Sequence, residues 1–334
     1  MTSGSEYKNI SVLVTGAGGF IGSHLVEALV GAGAKVRALV RYTSRGSWGH
    51  LEQLSPEFRA SVEVALGDVR DAQFMRTQVR GCDIVFHLAA LIGIPYSYEA
   101  PDSYVDTNLR GTLNILQAAR EAAIGRVVIT STSEVYGTAC YAPIDEAHPL
   151  QAQSPYSASK IAADKLAQSY LLSFSLPVVT VRPFNTYGPR QSARAVIPTI
   201  VSQLLSGAEA LRLGSLEPVR DLTYVSDTVN GFLRAGVAEL AIGQVINLGN
   251  GQGVSVGDLA QRIMALAGRK LPIVHEPDRV RPQASEVQLL IAKTELARKL
   301  LGWEPEVSLT EGLRQVIEYI GGNMLSYRLG SYAV

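Results

Sequence analysis

Tyr156 and Lys160 are the pair with the clearest catalytic potential in this chain of 334 residues. They lie four positions apart in a segment with a helical pattern, so the phenol and the ammonium share one face of the predicted helix. A nearby cation favours the phenolate and lowers the pKa of the tyrosine. A phenolate can then remove the proton of a substrate hydroxyl while hydride leaves the same carbon. Since this spacing is also common on protein surfaces, the pair needs supporting signals.

A glycine-rich turn is the second signal. Gly16, Gly19 and Gly22 follow a short apolar segment and open a helical one. The first glycine permits a tight turn, the second lets a pyrophosphate approach the backbone at the helix N-terminus, and the third permits close packing of helix against strand. The strand before the turn and the helix after it favour a dinucleotide site over a purely structural turn.

The residues expected near the cofactor ribose differ from the pattern of NAD enzymes, which place an acidic residue about 20 positions after the glycines. Arg41 stands at the end of the second predicted strand instead, with Arg45 nearby. A cation there suits a 2′-phosphate and favours NADP, whereas an arginine that only stacks on adenine would tolerate NAD. Asp68 follows the third predicted strand. Its carboxylate can accept a hydrogen bond from the adenine amino group or cap the helix predicted at residue 71.

Alternating strands and helices must position these groups. Short apolar segments predict strands at 10–15, 35–40, 62–66, 84–88, 127–130 and 178–182. Helical patterns between them predict helices at 19–30, 71–79, 104–123 and 156–174. This alternation predicts an α/β fold, a Rossmann-type doubly wound parallel sheet covered by helices on both faces.

The pattern changes after Pro183. Helices are predicted at 195–206, 225–238, 256–267, 294–301 and 310–321, separated by short strands and loops. We therefore expect a dinucleotide-binding domain at 8–182, to which later segments can return, and a smaller, mostly helical substrate lobe at 183–322.

Composition excludes several classes of protein. Lys plus Arg and Asp plus Glu are both 30, and this zero net charge argues against a broad nucleic-acid surface. The two cysteines and five histidines show no metal-ligand spacing, so no metal is expected. A polar N-terminus, lone thiols and the lack of a long apolar run predict a cytoplasmic protein without a signal peptide or membrane span.

The chain resembles the extended short-chain dehydrogenase/reductases that act on nucleotide sugars, over roughly residues 10–320. The resemblance rests on the segments 15–22, 87–90, 130–137, 156–160, 182–190 and 220–227. The order Thr132-Ser133-Glu134 resembles GDP-mannose 4,6-dehydratases. Residues 92–98 and 182–199 most resemble the GDP-N-acetylglucosamine 4,6-dehydratases of legionaminic acid biosynthesis.

The resemblance implies a dehydration mechanism. Thr132 orients the 4-hydroxyl, Tyr156 removes its proton as hydride passes from C4 to NADP, and Glu134 removes the C5 proton as the 6-hydroxyl leaves as water. Hydride then returns to C6, so the cofactor is regenerated in each cycle and is expected to stay tightly bound. Relatives with Asp at position 133 have an acid for the leaving hydroxyl. Ser133 lacks a useful pKa, so Glu134 is expected to carry that proton itself.

The resemblance also implies the contacts of both ligands. Cofactor contacts are expected from Gly16, Gly19, Phe20, Ile21, Gly22, Arg41, Asp68, Val69, Leu88, Ala89, Ala90, Asn108, Tyr156 and Lys160. Arg220, Arg281 and Asn185 match positions that contact the substrate diphosphate, and Arg194 is a further candidate. A GDP-hexose is the favoured substrate, with a UDP-hexose as the alternative.

Three other functions are alternatives to a 4,6-dehydratase. UDP-glucuronate decarboxylases tend to carry Arg just before the catalytic tyrosine, where this chain has Pro155. Nucleotide-sugar 4-epimerases typically have a small residue at position 134, because they need no base at C5. A non-catalytic dinucleotide sensor would need neither Glu134 nor Tyr156. The helices at 104–123 and 156–174 are expected to form a homodimer through a four-helix bundle, or otherwise an ordinary helix layer.

Overall fold

A sheet of seven parallel strands occupies the centre of the molecule. The structure is a computed structural model, and it describes residues 6–327. Within that range the strands are β1 (Ser11–Thr15), β2 (Lys35–Arg41), β3 (Val62–Gly67), β4 (Ile84–His87), β5 (Arg126–Thr130), β6 (Val178–Pro183), β7 (Thr186–Tyr187), β8 (Leu211–Leu213), β9 (Val219–Asp221), β10 (Thr223–Tyr224), β11 (Val245–Leu248), β12 (Gly253–Ser255), β13 (Ile273–His275) and β14 (Leu289–Leu290).

Helices cover both faces of this sheet and form much of the second half of the chain. They are α1 (Phe20–Gly31), α2 (Pro56–Ala60), α3 (Ala72–Val79), α4 (Ile94–Glu99), α5 (Pro101–Tyr104), α6 (Gly111–Glu121), α7 (Pro155–Phe174), α8 (Val196–Leu205), α9 (Val225–Val237), α10 (Val256–Leu266), α11 (Glu295–Leu301) and α12 (Leu309–Gly322). No helix within residues 6–327 combines the length and apolar character needed to cross a membrane.

The order of the sheet is β11-β6-β5-β4-β1-β2-β3. This arrangement confirms the predicted Rossmann-type doubly wound parallel sheet. The chain proceeds outward from β1 in one direction through β2 and β3 and in the other through β4, β5 and β6. Ligands of such folds bind beyond the carboxyl ends of the strands where the order reverses, which here is beside β1 and β4.

Side chains of β1 show why both faces are covered. Val12 and Val14 pack into the core that includes α1 and α9, whereas Leu13 packs on the opposite face with α3, α6 and α7. Successive residues of a strand point to opposite faces, so an almost uninterrupted apolar strand needs a helix layer on each side.

The helix predicted at 104–123 is interrupted, which corrects that prediction. Helix α5 ends at Tyr104, a π-helical segment spans Val105–Arg110, and α6 begins at Gly111. The Thr112 hydroxyl donates to the Asn108 carbonyl at 2.6 Å, and the Asn108 amide bonds the backbone of Leu91. These bonds hold Asn108 inward and stabilise the wider turn, and such π segments are frequent near functional sites.

Segments after Pro183 return to the sheet. Strand β11 pairs with β6, and α9 packs against α1, β5 and β6. The other later elements include the mutually packed helices α8, α10 and α12. They also include the three-stranded sheet β12-β9-β14 and the pair β13-β8. Two of these short strands, β8 and β9, carry an arginine, Arg212 and Arg220 respectively.

Candidate active site

A cleft of about 1310 Å³ runs along the carboxyl edge of the sheet, between the turn after β1 and the later segments. Every residue predicted for the site except Asn108 lines it. These lining residues are Gly16, Gly19, Phe20, Ile21, Gly22, Arg41, Asp68, Val69, Leu88, Ala89, Ala90, Thr132, Ser133, Glu134, Tyr156, Lys160, Asn185, Arg194, Arg220 and Arg281. Asn108 is fully buried, and its amide is bonded to Leu91 and Ser159. Its cofactor contact stays a prediction.

The glycines let the turn after β1 pack closely against the segment after β4 and against the start of α1, at one end of the cleft. Gly16 has a φ of +69°, which favours glycine, and a Cβ there would lie 2.8 Å from the Ala89 nitrogen. A Cβ on Gly22 would lie 2.2 Å from the Gly16 oxygen. Helix α1 begins at Phe20 without a side-chain cap, so its first N–H groups are available to an anion. This cradle fits a dinucleotide pyrophosphate.

Thr15 and His87 fix the wall opposite the glycine turn. The Thr15 hydroxyl accepts from the backbone N–H groups of the two residues after His87, both at 3.1 Å, and lies 2.8 Å from His87 Nδ1. His87 Nε2 lies 3.1 Å from the Thr112 hydroxyl, whose own hydrogen is donated elsewhere. Burial lowers the pKa of His87 to about 3. We therefore assign a neutral ring that donates from Nε2 and accepts at Nδ1.

Arg41, Asp68 and Arg70 lie together at the ends of β2 and β3. Asp68 accepts from the Arg70 backbone N–H at 2.9 Å and from its guanidinium at 3.0 and 2.7 Å, and these bonds lower the Asp68 pKa. The Arg41 guanidinium is 4.0 Å from Asp68, and its side chain is 68% exposed. Asp71, which accepts from the Phe74 N–H at 3.0 Å, caps α3. The alternative that Asp68 caps this helix is therefore wrong.

Helix α7 positions Tyr156 and Lys160. Ser154 caps the helix in a reciprocal capping box with Ser157, so Tyr156 lies in the first turn and Lys160 one turn later. The Lys160 ammonium donates to the Thr130 carbonyl at 2.6 Å. Burial raises the pKa of Tyr156 and lowers that of Lys160 to about 8. In this structure burial thus outweighs the expected lowering of the tyrosine pKa by the lysine.

The loop after β5 brings Thr132 and Glu134 to Tyr156. Thr132 caps the 3-10 turn Ser133–Tyr136, and its hydroxyl accepts from the Glu134 N–H at 3.2 Å. The Thr132 side chain lies near the Tyr156 phenol and opposes the rise of the tyrosine pKa, whereas the charge of Glu134 adds to that rise. Phenol, hydroxyl and carboxylate therefore face one volume.

Arginines occupy the opposite end of the cleft. The side chains of Arg220 on β9 and Arg281 after α10 both approach the Glu286 carboxylate, at 3.0 and 3.6 Å. Burial lowers the pKa of Arg220, whereas the charges of Glu134 and Glu286 oppose that shift. The Asn185 carboxamide oxygen is buried without a hydrogen-bond partner among the described residues. This end has the donors that a bound diphosphate needs.

Asp221 anchors the strand that carries Arg220. Its carboxylate accepts from the backbone N–H groups of Asn250, Gly251 and Ala292 at 2.7 to 3.0 Å. Burial is the main cause that raises the pKa of Asp221 to about 6. The carboxylate thus ties β9 to the loop after β11 and to the segment after β14, and it fixes where the Arg220 side chain starts.

Two charged residues near the site were not predicted from the sequence. Glu286 lies between Arg220 and Arg281, but no periodic pattern links it to either. Asp164 lies four positions after Lys160, and this helical spacing is the signal that points to it. It bonds Ser131 and Arg182 behind the reacting centre.

A family model described as GDP-mannose 4,6 dehydratase matches residues 13–316. A UDP-glucose 4-epimerase of Mycolicibacterium smegmatis is 33% identical over 313 residues, which cover 92% of this chain and 97% of that protein. A UDP-N-acetyl-α-D-glucosaminuronate decarboxylase of Bacillus cytotoxicus is also 33% identical, over 92% of this chain and 96% of its own.

A solved structure is also similar to this chain. DesIV of Streptomyces venezuelae, a dTDP-glucose 4,6-dehydratase with NAD and TYD bound, matches with a TM-score of 0.84 and 29% identity. The match covers 94% of this chain and 98% of that one. The three proteins carry three different activities, so the side chains of the cleft have to distinguish between them.

Proposed function

The chain belongs to the GDP-mannose 4,6-dehydratase family, and we propose that it is a nucleotide-diphosphate-sugar 4,6-dehydratase. Glu134 carries this proposal. Its backbone N–H is bonded to the Thr132 hydroxyl, and its charge influences the pKa of Tyr156, so a second proton-accepting group lies near the phenol. A 4-epimerase needs one proton-transfer residue at C4, whereas water loss across C5 and C6 needs a further base.

The residues around Tyr156 divide the reaction between them. Thr132 orients the sugar 4-hydroxyl, and Tyr156 accepts its proton as C4 becomes a ketone. Lys160 supports the tyrosine with its charge. The ketone acidifies the C5 proton, which Glu134 removes, and the 6-hydroxyl leaves as water to give a 5,6-alkene. The hydride taken from C4 returns to C6 and a proton from solvent adds at C5, so the product is a 4-keto-6-deoxy sugar.

Glu134 also has to protonate the leaving hydroxyl. Its neighbour Ser133 is 2% exposed, and a serine hydroxyl is too weak an acid for this task. A carboxyl that has just taken the C5 proton can give the same proton to the 6-oxygen. We therefore assign both proton transfers to Glu134.

The glycine turn, the segment after β4 and the side chain of Arg41 would hold a nicotinamide dinucleotide. The bound cofactor supplies a hydride acceptor and donor, and the positive charge of its oxidised ring favours the Tyr156 phenolate. NADP is favoured over NAD because Arg41 is exposed to the cleft, whereas the Asp68 carboxylate is bonded to Arg70. Since the redox change reverses in each cycle, the cofactor is proposed to stay bound.

The arginine end of the cleft is proposed to hold the substrate diphosphate. Arg220 and Arg281 supply guanidinium groups, Asn185 supplies an amide, and Arg194 lines the same wall. Guanidinium groups bind phosphate oxygens in a bidentate manner. A GDP-hexose is the favoured substrate, and a UDP-hexose is the alternative.

A homodimer through α6 and α7 is proposed as the assembled state. The two helices pack side by side, and each exposes a leucine: Leu113 on α6 is 39% exposed and Leu172 on α7 is 75% exposed. Exposed apolar side chains on adjacent helices suit a four-helix bundle with a second copy. Light scattering coupled to size exclusion measures the mass, and a monomer would contradict the dimer.

Incubation with a panel of GDP-, UDP-, CDP- and dTDP-hexoses tests the proposed reaction. The expected result is a product lighter by one water molecule, detected by mass spectrometry. A change of sugar stereochemistry without a change of mass would identify a 4-epimerase. Loss of carbon dioxide from a nucleotide glucuronate would identify a decarboxylase. Turnover of none of these substrates would contradict all three activities.

Glu134→Gln is the matched variant, because it keeps the shape of the side chain and removes the base. We expect it to oxidise C4, seen as absorbance of the reduced cofactor, and to release no water. Unchanged dehydration by this variant would refute the assignment of Glu134 as the base.

A further inference from the structure

Asp164 joins three elements behind the reacting centre. It lies one turn after Lys160 on α7 and is 5% exposed. One of its oxygens, Oδ2, accepts from the Ser131 hydroxyl at 2.8 Å and from the Arg182 guanidinium at 3.2 and 2.9 Å. Ser131 directly precedes Thr132, and Arg182 ends the next strand. A single carboxylate therefore links the catalytic helix to the ends of β5 and β6.

The buried charge of Lys160 needs compensation. Lys160 is 3% exposed, and its ammonium bonds the Thr130 carbonyl, a neutral acceptor. His87 on β4 is a further neighbour, and its ring is neutral because burial lowers its pKa. Asp164 is the carboxylate that opposes the loss of the lysine proton. A buried ammonium without a counter-charge tends to neutralise.

Asp164 keeps negative charge available for Lys160 despite its bonds to Arg182. Its second oxygen, Oδ1, is buried and has no hydrogen-bond partner among residues 6–327. Arg182 is held from its other side by the Tyr136 hydroxyl at 2.9 Å and lies over that ring. The ammonium thus has the Asp164 carboxylate on α7, the neutral ring of His87 on β4 and the Arg182 guanidinium on β6 around it, and Glu134 and Tyr104 influence the neighbouring phenol of Tyr156.

We propose that Asp164 is a positioning residue that supplies the counter-charge of Lys160 and fixes the loop carrying Thr132 and Glu134 through Ser131. It does not line the cleft. It acts through Lys160, whose charge favours the phenolate of Tyr156, and through the end of β5. The inference rests on the proposed function in assigning Lys160 a role beside Tyr156.

NMR titration of protein with isotope-labelled lysine tests the electrostatic part. The chain has seven lysines, and Lys160→Met assigns the signal of interest. In Asp164→Asn we expect the pKa of Lys160 to fall by about one unit or more relative to the parent, because an opposite charge nearby is removed. Ser131→Ala is the matched control, since it removes a hydrogen bond to Asp164 but no charge, and it should leave the Lys160 titration unchanged.

A second variant distinguishes the counter-charge role from a purely structural role, because Asp164→Asn alone leaves Arg182 without its buried partner. The double variant Asp164→Asn with Arg182→Gln removes both charges of the pair and protects against misfolding caused by an unpaired buried arginine. The counter-charge role predicts that the Lys160 pKa stays low in the double variant and returns towards the parental value in Asp164→Glu. A parental pKa in either asparagine variant would overturn the proposal. The titration needs no substrate, so it remains decisive if no nucleotide sugar is dehydrated.

The pH profile of turnover gives the second readout. Loss of the Lys160 charge should lower activity on the alkaline side, and this fall should begin at lower pH in Asp164→Asn than in the parent. An unchanged alkaline limb together with a lowered maximal rate would show a structural role alone and would contradict the counter-charge.

Discussion

The Glu286 carboxylate lies 3.0 Å from the Arg220 guanidinium, inside the part of the cleft proposed for the substrate diphosphate. Their side chains are 13% and 12% exposed, so the pair is shielded from water. Arg281 approaches the same carboxylate at 3.6 Å. One carboxylate thus partly neutralises the two guanidinium groups that a diphosphate would need. When substrate binds, the carboxylate and the phosphates compete for these groups.

Removing that carboxylate should strengthen nucleotide binding. We expect Glu286→Gln to bind GDP or UDP about tenfold more tightly, equivalent to about 1.4 kcal/mol, because a like charge near the phosphates is removed. Isothermal titration calorimetry measures the change. Glu239→Gln removes a charge at the distant Arg126 pair and should bind as the parent does. Weaker binding by Glu286→Gln would show that the carboxylate mainly holds the arginines in place.

Arg41 should decide the choice between the two cofactors. Arg41→Ser removes a guanidinium expected to bind the 2′-phosphate, and charged hydrogen bonds of this kind contribute about 1.5–3 kcal/mol. The affinity for NADP should therefore fall by roughly 10- to 100-fold, with little change for NAD. Mass spectrometry of cofactor released from the denatured parent supplies a second measurement. Release of NAD alone, or equal losses for both cofactors, would contradict the preference for NADP.

Ser133 should be dispensable for the loss of water. Ser133→Ala removes a hydroxyl that cannot act as a general acid at neutral pH, so dehydration should stay within about threefold of the parental rate. A positioned general acid typically contributes about 100-fold or more. A loss of that size in single-turnover dehydration, with C4 oxidation intact, would assign proton delivery to Ser133 and not to Glu134.

His87 should make the protein less stable in mild acid. Its pKa is about 3 when folded and about 6.5 when unfolded, so the stability from a neutral His87 is complete above about pH 6.5 and declines as the pH falls towards 3. Between pH 7 and 5.5 this group should account for about 1 kcal/mol of lost unfolding free energy. Urea unfolding of His87→Gln should show a correspondingly smaller loss.

The matched control for this measurement is His275→Gln, which replaces an exposed histidine and should keep the parental dependence on pH. Burial also lowers the pKa of His24 to about 4 and that of His50. Both groups add to the acid sensitivity of the parent. Because they are present in every variant, the difference between His87→Gln and the parent isolates His87. Equal slopes for these two proteins would contradict the assignment of a neutral buried ring.

Much of the fold follows from local patterns. The apolar segments at 10–15 and 84–88 predict β1 and β4 almost to the residue, because parallel strands buried on both faces are apolar throughout. The helix predicted at 104–123 differs, since bonds from Asn108 to Leu91 impose a π segment that no local pattern indicates. The later lobe also contains paired strands of two or three residues. They are too short to show the alternation of apolar and polar residues that identifies a strand.

Contacts within a single element can be predicted from the sequence. Tyr156 and Lys160 share a helix, the glycines share a turn, and Thr132 and Glu134 share a loop, so spacing along the chain fixes their relative positions. The tertiary structure alone decided the pairs that join distant segments. Glu286 and Arg220 are 66 positions apart, and Asp164 meets Arg182 across two elements. Such contacts depend on how the strands and loops pack, because the partner of a buried charge is set by distance in space and not by separation along the chain.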